Sequence, residues 1–189
     1  QANACTGEQG RENCLRTLDM VSRALCEAGE EVSAESLLPA STGVIGAQMP
    51  MDKWAAVVPA LAASLGKVDL EGLARAMMTT DAFPKMAGRE LALKGGTVLL
   101  AGVAKGAGMI CPNMATMLSL VMCDAKVEPS AWRDMFRRAA DATFNRVSVD
   151  GDTSTNDSLY GLANGASGVT VAAEEIPLLE AALTEVLGE

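Results

Sequence analysis

The chain contains no histidine, and that absence removes more chemistry than any other feature of its composition. Ser-His and Cys-His catalytic pairs are excluded within it, as are most zinc sites. Cysteine is present without a pattern: five residues, Cys5, Cys14, Cys26, Cys111 and Cys123, and no C-x-x-C spacing. An odd, unpaired set reads as reduced thiols in an intracellular, cytoplasmic setting. With no activating partner in view, each is read as a small hydrophobe in packing. Aromatic residues are only 3% of the sequence, which leaves Ala, Gly, Leu and Met to fill the interior. Basic charge is also short, with 15 Lys and Arg scattered among 24 Asp and Glu for a net charge of -9. A nucleic-acid surface needs a basic band to neutralise phosphates, so no nucleic-acid partner is expected. A small anionic substrate needs only one or two local cations and stays open. The longest apolar run, WAAVVPALAASL, is too short to span a bilayer and holds Pro59, so no membrane partner is expected either.

What is there suits one globular domain. The chain has 189 residues, 49% of them hydrophobic, enough for one good core and short for two. Residues 8–28 have helical spacing, with Cys14, Leu15, Leu18, Val21 and Leu25 as the stripe and Gly29 as the stop. Asp52 is the expected N-cap of a helix that Pro59 kinks or divides, and Asp69 of a second over LEGLARAMMTTD. ELALK, the turn at Gly95-Gly96, and TVLLAGVAKG read as a hairpin. TMLSLVMCDA reads as a buried strand, and Pro129 and Ser130 open a long amphipathic helix. VSVDGD reads as strand-like, STNDSLYGLANG as helical, and EEIPLLEAALTEVLG as a closing helix. Blocks of helix and strand without a regular βαβ rhythm predict an α/β or α+β fold, a layered mixed sheet with helices on its faces.

Three loops could carry chemistry. KGAG, Lys105 to Gly108, lacks both the P-loop and the dinucleotide-binding spacing, so its glycines are read as marking a sharp turn or close backbone approach. DGDTSTND, Asp150 to Asp157, begins like a calcium loop, but Thr155 and Gly161 occupy the places that need Gly and Glu. It reads instead as a polar turn whose side chains hold backbone groups and cap the following helix. STG, Ser41 to Gly43, is ordinary turn composition or a pair of donors aimed at a developing oxyanion.

Thr116, in KGAGMICPNMATML, admits two readings. Threonine is β-branched and commonly begins a strand. It can also be a nucleophile without histidine, if the chain is cut just before it and its new α-amine becomes the base. Such an amine titrates at about 7.7–8.0, near working pH. The hydroxyl would first attack the carbonyl of Ala115, a small residue that leaves the approach open. The rigid Cys-Pro-Asn flank can help strain that bond.

The same residues carry a resemblance. ANACTGEQG, ASTGVIG, MPMDK, MTTD, VAKGAGMICPNMATML and FNRVSVDGDTSTND occur in an order and spacing that resemble the ornithine acetyltransferase family, the glutamate N-acetyltransferases of the cyclic arginine pathway. The resemblance runs through essentially the whole chain. It implies an N-terminal-nucleophile-like architecture of the self-cleaving aminopeptidase kind. It also implies cleavage between Ala115 and Thr116, with residues 1–115 ending an α chain and 116–189 beginning a β chain. Thr116 would be the nucleophile, acetylated by N2-acetyl-L-ornithine and deacetylated by L-glutamate in a ping-pong cycle. Thr42 and Gly43 match the family's oxyanion-hole pair, and Thr79 and Lys105 match substrate-binding positions. A substrate carboxylate is a natural partner for Lys105. No metal or organic cofactor is implied. Some members also accept acetyl-CoA as donor, and the α and β chains stay together in an (αβ)2 assembly in the cytoplasm. Family chains begin before ANACTG and run on past Glu189, so the expectation is the central part of a longer enzyme, inactive by itself. Two alternatives stand beside it: a self-cleaving hydrolase with water as acceptor, and a structural fragment with no catalysis.

Overall fold

The expected hairpin is present and anchors the sheet. Strands β1 (Lys85–Leu93) and β2 (Gly96–Lys105) pair antiparallel from Leu93 opposite Gly96 to Lys85 opposite Ala104, with Lys94 and Gly95 as the turn. Gly96 has φ 138°, a backbone region in which a side chain is strained. β3 (Leu118–Cys123) lies antiparallel to β2, and β4 (Ser158–Ala163) lies parallel to β3, giving a mixed sheet ordered β1-β2-β3-β4. The computed structural model describes residues 4–111 and 117–189, which fall into two compact units, Gln1–Asp69 and Leu70–Glu189.

The first unit is helical. Helix α1 (Gly7–Glu27) packs against α2 (Met51–Ala63), with a short 3-10 turn at Ala34–Ser36 between them. The α1 stripe expected from the sequence is largely half-buried, but Leu15 is 52% exposed and the fully buried positions are Gly10 and Asn13. Asp52 is not the N-cap of α2. Pro50 occupies that place, and Asp52 sits in the first turn, where its charge faces the positive end of the helix dipole. Helix α2 runs on through Pro59 without dividing.

The second unit holds the sheet and the core. After α3 (Leu70–Met77) and the hairpin come α4 (Pro129–Ala142) and α5 (Ile176–Gly188). Glu128 caps α4 by accepting from the Ala131 N–H at 2.9 Å, and Pro129 takes the first position, where no N–H is needed. Buried Val98 and Leu100 of β2, Val121 and Cys123 of β3, Met135 and Ala139 of α4, and Leu179 and Leu183 of α5 form one apolar cluster. Arg138 of α4 grips Glu180 of α5 through two bonds of 2.7 and 2.6 Å, closing the helix pair at the surface. None of the described helices is long and apolar enough to cross a membrane. A mixed sheet layered with helices is the α/β class that the sequence predicts.

Two elements differ from expectation. VSVDGD is not a strand; it follows the 3-10 turn Phe144–Arg146 as irregular chain. STNDSLYGLANG is not helical but supplies β4. Its Ser, Thr, Asn, Asp and Gly residues give it little helix propensity, and pairing with β3 sets its state. Gly161 lets α4 come close: a Cβ there would lie 2.7 Å from the Phe136 ring, and Trp132 Nε1 donates to the Gly161 carbonyl at 3.1 Å. Gly161→Ala in the full-length protein is therefore expected to cost about 1–3 kcal/mol by overpacking, read as a lowered urea midpoint.

Candidate active site

In the first unit, Thr42 and Gly43 lie on the loop between the 3-10 turn and α2. That loop leaves Val44 75% and Ile45 52% exposed, so hydrophobic burial does not hold it. Polar bonds do. The Gln48 amide donates to the Thr6 carbonyl at 2.7 Å and accepts from Asn13 Nδ2 at 3.2 Å, while the Gly46 N–H donates to the Ala4 carbonyl at 2.8 Å. Thr6 and Asn13 are themselves buried, so the anchor is shielded from water. A cavity of about 290 Å³ adjoins the loop, lined by Asn13, Thr17, Ser41, Gln48 and Trp54 among others.

In the second unit, Thr79 is exposed in the loop after α3, and Lys105 closes β2 at 3% exposure. The structure joins them through a residue that sequence reasoning did not single out. The Asp81 side chain, 1% exposed, accepts from Lys85 Nζ at 2.5 Å, from the Gly106 N–H at 2.7 Å and from the Thr79 N–H at 3.3 Å. Burial alone would raise the Asp81 pKa; the Lys85 ammonium and the two N–H groups outweigh it and hold the carboxyl at about 2. Burial pushes the Lys105 ammonium down, and the Asp81 and Asp157 carboxylates oppose that.

Because the folded pKa of Asp81 lies below its ordinary value of 3.8, its stabilisation is present above about pH 4 and is lost as pH falls through about 2. A shift of that size corresponds to about 2 kcal/mol. The stability margin of the full-length protein over its Asp81→Asn variant is expected to be near that figure at neutral pH and to close between about pH 4 and pH 2 in urea titrations.

Two further carboxylates, Asp150 and Asp157, hold backbone N–H groups of the chain after Lys105. Asp150 accepts from the Met109 N–H at 2.6 Å and the Ile110 N–H at 2.9 Å, which holds Asp150 below the usual carboxylate range. Met109 has φ 57°, a left-handed backbone rare for a side chain of its size. Asp157 accepts from the Met117 N–H at 2.9 Å; burial pushes its pKa up, and that bond and Lys105 pull against it. The DGDTSTND turn thus holds backbone groups, as expected, but the element after it is a strand. A cavity of about 280 Å³ in this unit is lined by Lys85, Lys105, Gly106, Met117 and Ser119 among others. Ala115 and Thr116, the expected cleavage pair and nucleophile, lie outside the described residues. Asp81 and Asp157 were legible only as motif letters, in MTTD and DGDTSTND; that each carboxylate would be turned inward needs the sheet to be in place.

Fold and site together define an α/β protein whose charged corner, Lys85, Lys105 and Asp81, sits at the end of a mixed sheet. The ArgJ family profile matches residues 1–189, and the chain belongs to that family. It is 63% identical over 187 residues to the arginine biosynthesis bifunctional protein ArgJ of Nitratidesulfovibrio vulgaris, covering 99% of this chain and 46% of that one. The ArgJ protein of Thermosynechococcus vestitus is 49% identical over 174 residues, covering 92% of this chain and 40% of that one. A solved structure of arginine biosynthesis bifunctional protein ArgJ from Bacillus halodurans is similar at TM-score 0.50 and 31% identity, over 60% of this chain and 57% of that one. The chain thus spans less than half the length of these two curated relatives. The likeness to the solved structure supports the N-terminal-nucleophile-type layering that the motifs imply.

Proposed function

We propose that the full-length protein transfers an acetyl group from N2-acetyl-L-ornithine to L-glutamate in arginine biosynthesis, through an acetyl ester on Thr116. The observation that carries this reading is the family match across all 189 residues. Residues 1–115 close an α chain and 116–189 open a β chain, released from one precursor when the Thr116 hydroxyl attacks the Ala115 carbonyl. The peptide nitrogen leaves as the new α-amine, the chain is held briefly as an ester, and water opens it. That amine then serves as the base for each acetyl transfer. Thr42 and Gly43 donate to the oxyanion of the tetrahedral intermediate, and Lys105 with Thr79 binds substrate carboxyl and polar groups. In the first half-reaction the acetyl C–N bond of N2-acetylornithine breaks and a Thr116 ester forms, releasing ornithine. In the second, the amine of glutamate takes the acetyl group and Thr116 regains its proton. The cycle needs no metal or organic cofactor; acetyl-CoA is a further donor to test, and the setting is a cytoplasmic (αβ)2 assembly.

Initial rates with and without glutamate test the acceptor. Consumption of acetylornithine that rises with glutamate, with parallel double-reciprocal lines, is the expected result. A rate indifferent to glutamate would mean that water is the acceptor and would overturn the transferase reading. Mass analysis of protein quenched with acetylornithine alone is expected to place one acetyl group on the chain that begins at Thr116.

A further inference from the structure

We propose that Asp81 is a positioning residue that sets Thr79 and Lys105 relative to one another as a single carboxylate-binding corner. This rests on the proposed assignment of Thr79 and Lys105 to substrate binding.

The loop that carries Asp81 is unusual in what it buries. Thr79, Thr80, Ala82 and Phe83 are all exposed, and Asp81 between them is not. A loop that buries its charged side chain and leaves Phe83 62% exposed is not driven by apolar collapse. Taking a carboxylate out of water is unfavourable unless its oxygens are satisfied. Here both are engaged: Oδ1 by Lys85 Nζ and the Gly106 N–H, and Oδ2 by the Thr79 N–H. Each partner belongs to a different part of the corner. Thr79 is on the loop after α3, Lys85 begins β1 opposite Ala104, and Gly106 directly follows Lys105. Gly106, whose N–H donates to Asp81, has φ 148°, a backbone region that favours glycine. One carboxylate therefore fixes where Lys105 ends its strand and where the Thr79 backbone lies.

Asp81 also acts on the charge of Lys105. The carboxylates bearing on that ammonium are Asp81, from the α3–β1 loop, and Asp157, from the turn before β4; Lys85, from β1, shares Asp81. Together the two carboxylates oppose burial and favour the protonated form that a substrate carboxylate needs.

Asp81→Asn removes the charge and one of the two acceptors: its amide oxygen can still accept from Lys85 and the Gly106 N–H, while its NH2 cannot accept from the Thr79 N–H. Asp81→Glu keeps the charge and displaces it. Both are tested in the full-length protein beside the wild type, with KM, kcat, the pH dependence of kcat/KM and cleavage at Ala115–Thr116 recorded. Asp81→Asn is expected to cleave, to raise KM for acetylornithine and glutamate on the order of tenfold, as a small misplacement of a binding group does, and to move the alkaline limb of kcat/KM to lower pH. Asp81→Glu is expected to keep that limb and still raise KM. Unchanged KM and an unchanged limb, even with a lower melting temperature, would assign Asp81 to the scaffold alone and overturn the proposal. So would the failure of both variants to accumulate as folded protein. A wild type that neither cleaves nor transfers acetyl groups is a different failure, that of the functional reading itself.

Discussion

Thr116→Ala in the full-length protein is expected to give one uncut chain with no measurable acetyl transfer. Two losses come from one atom. The hydroxyl is the attacking group in self-cleavage, and without cleavage no α-amine forms to act as base. Within these 189 residues no histidine is present to take over as base. Removal of a covalent nucleophile lowers turnover by on the order of a thousandfold or more. Thr116→Ser keeps the hydroxyl and is expected to retain slow cleavage and partial activity. Gel analysis of both variants after prolonged incubation, with acetyl transfer assayed in parallel, checks the pair. Acetyl transfer by an uncut Thr116→Ala protein would remove Thr116 from the mechanism.

The second large effect is on stability. Leu183→Ala is expected to destabilise the full-length protein by about 2–5 kcal/mol, the range for emptying a buried leucine site. Leu183 has no exposed surface and lies in the cluster shared by β2, β3, α4 and α5. Its neighbours are poorly placed to close the void. The sheet residues Val98, Leu100 and Val121 are fully buried on ladder-paired strands, and α4 and α5 are fixed at the surface by Arg138 and Glu180. Leu183→Met, nearly equal in volume, is expected to cost less than about 1.5 kcal/mol. Urea midpoints of wild type and both variants at an unchanged slope measure the difference. A Leu183→Ala midpoint equal to that of the methionine variant would mean that the site collapses freely.

Much of the fold was legible because local signals agreed with tertiary demand. Glycines at 95 and 96 between two β-rich runs signalled a reversal, though the turn itself is Lys94-Gly95 and Gly96 opens β2, and Pro129 marked a helix start. The closing helix and the β3 strand followed from apolar runs of the right length. The misreadings have a common cause. Ser158–Ala163 has weak local preference, and its state is set by pairing with β3 and by the Phe136 ring on Gly161. Asp52 lost the N-cap to Pro50 because the chain enters α2 through proline.

The candidate site divides along the same line. Thr42, Gly43, Thr79, Lys105, Ala115 and Thr116 were named from motifs, whose residue types are specific enough to carry a resemblance. Asp81 was assigned no role, and Asp150 and Asp157 only the general one of holding backbone groups in a polar turn, because an aspartate in a polar loop looks solvated until its partners are placed. Those partners are backbone N–H groups of Gly106, Met109, Ile110 and Met117, and a sequence gives no sign of which carboxylate will reach them.

Intact mass of the purified full-length protein under denaturing conditions, followed by N-terminal sequencing of any smaller species, tests the central proposal most directly. Two chains are expected, the second beginning Thr-Met-Leu-Ser at Thr116. A single uncut mass from protein that transfers acetyl groups would contradict it.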